Sequence, residues 1–247
     1  MATSPRIAIS AALLASLSTG CGGSAPPPTA TPRPTAAASE AADATSDGPG
    51  LEASAVRRLP RDVDYVMRVH LGSLRGTAFE DVVLARFPLS PAGADRELQL
   101  GILAHTEVVT VGLAEEAVGW VFEGELGQRF DAVEERFSAN ASPTVSGAPG
   151  RRSVRDARIA IGEVGDDALT VHMPASAATE TGDVPPAVAS LALRRLGAAL
   201  PAVPTGRVVV FEAWAAPTWG LFRELEVVAR MTYSADSSDI HIDAALR

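Results

Sequence analysis

No aromatic residue occurs before Tyr65, and that absence sets the limits on what this chain can fold into. Residues 22–51, GGSAPPPTATPRPTAAASEAADATSDGPGL, are dominated by Pro, Ala, Thr, Ser and Gly. Such a segment has too little apolar area to offset its ordering entropy. Its prolines at 26–28, 32 and 34 bias it toward an extended polyproline conformation. Residues 21–54 are therefore expected to form a disordered tether, and residues 55–247 a single folded domain. A domain of that length buries about 70% of its unfolded-chain surface without staples.

Within the domain, apolar periodicity assigns the elements. From Asp62 to Leu71, Val63, Tyr65, Met67, Val69 and Leu71 alternate with Asp62, Asp64, Arg68 and His70, the period of two of a half-buried strand. Further strands are expected at 107–113, 117–126, 153–164, 168–173, 207–215, 225–234 and 240–246. Helical spacing covers 71–87, 91–104, 130–137 and 188–200, and residues 217–222 suggest one helical turn. About eight strands joined mostly by short connections predict an α+β fold: a mostly antiparallel sheet with helices packed on one face. The order helix–strand–strand occurs at 92–126 and again at 188–234, which suggests two weak internal repeats.

Charge and residue usage exclude several functions. All 21 basic residues are Arg, so Schiff-base, Ser-Lys and P-loop lysine chemistry are excluded. Net charge is −9, and removal of residues 1–20, whose one charged side chain is Arg6, makes it one more negative. That balance opposes nucleic-acid binding and docking on anionic headgroups. Cys21 is the only cysteine, which excludes intrachain disulfides, CxxC chemistry and thiolate zinc sites.

Residues 1–20 read as a signal peptide: Arg6 and the terminal amine precede an 11-residue apolar run, Ile7–Leu17, too short to span a bilayer. The stretch Leu17-Ser18-Thr19-Gly20-Cys21 resembles the lipobox of bacterial lipoproteins. That resemblance implies diacylglycerol on the Cys21 thiol and cleavage before it; Gly22, in place of Asp after the cysteine, implies the outer membrane. Leu59-Pro60 followed by an acidic strand opening, downstream of a disordered tether, resembles uncharacterised lipoproteins of GC-rich Gram-negative bacteria. That family brings no activity with it.

Candidate chemistry is sparse. His70, His172 and His241 fall in expected strands, each on the more polar face. If those strands were neighbours, the imidazoles would converge with Asp64 or Asp243 on a metal, although no HxH or HExxH spacing supports this. Hydrogen-bonded strand histidines are the simpler expectation. Trp219 and Phe222 share a face if 217–222 is helical, placing them to line a hydrophobic pocket or to pack in the core. Arg151, Arg152, Arg155 and Arg158 form a basic cluster that suits an anionic partner or guards a sheet edge. No G-x-S-x-G elbow or GxGxxG fingerprint occurs.

The expectation is thus a non-enzymatic envelope lipoprotein with no catalytic residue, no metal and no cofactor. It is held to the membrane by its lipid, facing the periplasm or the cell surface, with a protein partner or a hydrophobic ligand and no nucleic acid. A periplasmic carrier of a lipid or other hydrophobic ligand is the alternative, and a metal-dependent or hydrolytic enzyme the third reading.

Overall fold

The computed structural model describes residues 54–77, 79–86, 96–127, 129–140, 143–178, 187–234, 236–237 and 239–247. The signal segment, Cys21 and the tether up to residue 53 lie outside the described residues. The fold is α+β, with one antiparallel sheet of ten strands. They are β1 (Tyr65–His70), β2 (Thr106–Leu113), β3 (Val118–Gly124), β4 (Thr144–Ser146), β5 (Ser153–Arg155), β6 (Ala160–Val164), β7 (Ala168–Met173), β8 (Arg207–Ala215), β9 (Val227–Ser234) and β10 (Asp239–Leu246). The spatial order is β10-β9-β8-β1-β2-β3-β7-β6-β5-β4. The first strand in sequence therefore sits inside the sheet, between β2 and β8.

Ten strands stand where about eight were expected. Asp156 divides the 153–164 run: its carboxylate accepts from the backbone N–H of Arg158 (2.6 Å) and Ile159 (2.8 Å), a side-chain turn that competes with the ladder. The short β4 carries three exposed residues and has no apolar alternation to betray it. The helix expected over 71–87 is two helices, α1 (Leu71–Leu74) and α2 (Glu80–Arg86), separated around Gly76, whose φ is +73°. The other helices are α3 (Arg96–Ala104), α4 (Arg129–Asn140) and α5 (Leu191–Ala198). Ser190 caps α5, its hydroxyl accepting from the Leu193 N–H.

Period-two alternation sends Met67, Val69, Val109, Val111, Trp120, Phe122, Leu169, Ile161 and Met231 to one face. Leu71 and Leu74 of α1, Leu103 of α3, and Phe130 and Val133 of α4 close over them. Val83 and Leu84 of α2 pack against them as well, so four of the five α-helices among the described residues gather on this side. The second face carries Val66, Val121, Trp214 and Val228, covered by Leu193 of α5 and by the chain entering the domain, Ala55, Val56, Leu59 and Val63.

That entering segment lies flat because the strands beneath it present glycine. Gly112 and Gly119 face each other across β2 and β3. A Cβ on Gly112 would sit 2.9 Å from Leu59 Cδ1 and Val63 Cγ1, and one on Gly119 would sit 2.6 Å from Pro60 Cδ. Gly119→Ala is expected to lower stability by about 1–3 kcal/mol, the cost of overpacking. It should also raise hydrogen exchange in residues 54–60 before that of β1, as measured by mass spectrometry.

Candidate functional site

Two polar features stand out on this frame. The first is a row of charge across the second face. Register places Asp243 (β10) opposite Arg230 (β9), Arg230 opposite Glu212 (β8), and Glu212 opposite Arg68 (β1). Glu212 and Arg230 are buried at 6% and 5% exposure. The Glu212 carboxylate lies 3.8 Å from the Arg68 guanidinium and 3.0 Å from His70 Nε2, and Arg68 also reaches Glu123 at 3.8 Å. Arg230 approaches Asp243 at 4.0 Å and donates Nη2–H to the Pro201 carbonyl. Signs alternate along the row, so each buried charge has an opposite neighbour. The row opposes charges within the sheet and directs no set of them at a common point.

The second feature is the 216–226 connection between β8 and β9, at the end of the sheet where β1 begins. Asp64, 3% exposed, organises it. Its carboxylate accepts from Thr218 Oγ1 (2.9 Å) and the Thr218 N–H (3.3 Å), and its carbonyl accepts from the Ala216 N–H (2.8 Å). Trp219 packs edge-on against Tyr65, ring centroids 5.8 Å apart. Burial, and then the Asp64 charge, push the Tyr65 phenol above its ordinary pKa. Gly220 (φ +79°) and Glu224 (φ +73°) turn the chain, and the Glu224 N–H donates to the Pro217 carbonyl. No helical turn forms at 217–222, because the chain bends at 218–220 and turns at 221–224. Trp219 and Phe222 consequently do not share a face: the Trp219 indole Nε1 is buried, whereas Phe222 is 64% and Leu221 96% exposed. A cleft of about 580 Å³ beneath the turn is lined by Thr218, Arg223, Glu224, Glu226 and Arg247, among others.

The three strand histidines do share the second face. His70 is on β1, His241 on β10 and His172 on β7, and each of the latter two is three strands from β1, about 14 Å at the usual inter-strand spacing. They do not converge, and among the described residues no group of three or more His, Cys, Asp or Glu is placed to hold a metal ion. His70 joins Glu212, and His241 Nε2 lies 3.1 Å from Asp243. His172 is 4% exposed, with Nδ1 unpartnered. Burial first, and the Arg155 charge second, pull its pKa down to about 4.

Of the four clustered arginines, Arg152 turns inward. It forks onto Glu163 through two 3.0 Å hydrogen bonds, donates to Asp131 at 2.6 Å and stacks 4.8 Å from the Phe130 ring centroid. The guanidinium holds the buried Glu163 carboxyl below the ordinary carboxylate range. This arginine joins β5, β6 and α4.

Arg68, Glu212 and Leu221 escaped the reading by residue type, and Asp64, named only as a metal ligand, instead holds Thr218. Alternation places Arg68 on the polar face of its strand and says nothing of Glu212, whose pairing depends on the register between distant strands, 142 residues apart in the His70–Glu212 contact.

No protein family matches the chain, and no curated protein matches it by sequence. Among solved structures it is similar to TP0453, a Treponema protein. With crystal form IV the TM-score is 0.51 at 8% identity, covering 80% of this chain and 83% of that one. With crystal form I the score is 0.49 at 10% identity over 78% of each chain. The likeness is one of fold. Among the described residues no helix is long and apolar enough to cross a membrane.

Proposed function

We propose that this chain is a lipid-anchored lipoprotein of the cell envelope, held in the outer membrane by acyl chains on Cys21, whose domain is a binding or structural module and not an enzyme. The observation that carries the reading is the position of Cys21. It is the chain's single cysteine, and it closes an apolar leader and opens an aromatic-free tether. Several acyl chains supply the hydrophobic area that stable anchoring needs. The non-enzymatic part draws on how the domain uses its charged groups. Glu163 is taken up by Arg152, Glu212 by Arg68 and His70, and Asp64 by the backbone and hydroxyl of Thr218. Each is a partner in holding strands and loops together.

The carrier alternative gains no support from the cleft at 216–226, where Arg223, Glu224, Glu226 and Arg247 stand beside Ala216, Pro217 and Leu225, so that an acyl chain or a sterol-like body would have to desolvate charge. Mass spectrometry of the mature N-terminus is expected to find a diacylated cysteine. Cys21→Ser is expected to move the protein from the membrane fraction to the soluble periplasmic or extracellular fraction. Retention of the Cys21→Ser chain in washed membranes at wild-type levels would remove the anchor from the reading.

A further inference from the structure

The four most exposed large apolar side chains among the described residues are Leu221 (96%), Leu246 (68%), Leu191 (64%) and Phe222 (64%), and all four belong to one end of the sheet. Leu221 and Phe222 form the tip of the β8–β9 connection. Leu246 pairs with Val227, the first residue after that connection. Leu191 follows Ser190, whose hydroxyl meets Glu226 at 3.3 Å. Glu226 in turn exchanges backbone hydrogen bonds with Arg247 (3.0 and 2.9 Å). A concentration of exposed apolar groups at one end of a domain marks a contact surface.

We infer that this end is a membrane-docking surface, with Leu221 and Phe222 inserting into the interfacial layer of a lipid bilayer. Three observations select lipid as the occupant. The tip is narrow: two apolar residues follow Gly220 and precede Arg223, on a turn pinned from below by Asp64 and by the Trp219–Tyr65 contact. That is the shape of a wedge. Second, the chain enters the fold at this same end. Leu59 and Pro60 lie over Gly112 and Gly119, the penultimate residue of β2 and the second of β3, and Asp64 and Tyr65 follow directly. A Pro/Ala/Thr-rich sequence of the length that separates Cys21 from Ala55 is expected to span roughly 30 Å, so an anchored chain would keep this end within range of its own membrane. Third, charge at this end is mixed. Arg61, Arg223 and Arg247 stand among Asp62, Glu115, Glu116, Glu224 and Glu226 of this turn and its neighbours, an excess of acid that disfavours anionic headgroups. The surface expected is therefore zwitterionic lipid, bound by apolar insertion with little salt dependence.

The proximity argument rests on the anchored reading, whereas the test is made without the anchor. In the full Cys21→Ser chain, Leu221→Cys supplies one thiol for an environment-sensitive fluorophore. Phosphatidylcholine vesicles are expected to shift its emission to the blue. Leu221→Asp with Phe222→Asp, in the same Cys21→Ser background, is expected to lower vesicle partition at least tenfold while leaving the thermal midpoint unchanged, since both side chains lie outside the core. Equal partition of the two chains, or no shift with vesicles, overturns the inference. So does a shift that follows protein concentration without lipid, which assigns the tip to a second copy. Failure of Cys21 acylation in the native chain would strike the anchor and leave this result standing.

Discussion

Replacing Glu212 with leucine is expected to destabilise the domain by about 3 kcal/mol or more, read as a lower urea midpoint with an unchanged slope. The carboxylate is buried, opposes Arg68 on one side and Arg230 on the other, and accepts a hydrogen bond from His70 Nε2. Its removal leaves two arginines desolvated in the row without their central opposite charge. Part of the loss should return in the double variant Arg68→Met with Glu212→Leu, because an apolar pair no longer carries an unpaired charge. A double-mutant cycle on the two positions measures that coupling. Additive single costs would show that Arg68 and Glu212 are not energetically coupled.

Acidification from pH 6.5 to pH 4 is expected to remove about 3 kcal/mol of stability through His172 alone. The folded protein holds this imidazole neutral, with a pKa of about 4 against an ordinary 6.5, because protonation would bury a cation beside Arg155. The unfolded chain binds the proton more readily in that window, so the stabilisation is complete above pH 6.5 and is lost as pH falls toward 4. The groups around the ring are the Arg155 guanidinium and, among uncharged neighbours, Pro60 and the Gly119 backbone. His172→Leu should flatten the stability profile across the window, since the Nδ1 it removes has no partner to orphan. An acid slope identical to that of the wild type would transfer the effect to the carboxylates.

Much of the frame is legible in residue order because it is local. Alternation from Val63 to Leu71 needs only the two-residue repeat of a strand. The 153–164 run was misread for an equally local reason, since one aspartate side chain outcompeted the ladder. Residues 217–222 were misread because Trp219 is held by Tyr65 and Thr218 by Asp64, contacts 154 residues apart for Asp64–Thr218. Those contacts pull one aromatic inward and leave the other outside. Alternation puts the candidate histidines on one face of the sheet, but their burial, which for His172 is nearly complete, and the distance between them are properties of strand order and of what covers that face.

The sequence by itself determined which segments alternate, that neighbouring strands run antiparallel, and which chemistries a lysine-free chain with one cysteine forgoes. Each follows from the composition or from the step of the backbone. Only the tertiary structure decided that β1 lies between β2 and β8, that Asp243, Arg230, Glu212 and Arg68 form one row, and that Leu221 and Phe222 stand clear of the core. Register and strand order are settled by the simultaneous burial of both sheet faces, a sum over the whole chain that no local window contains.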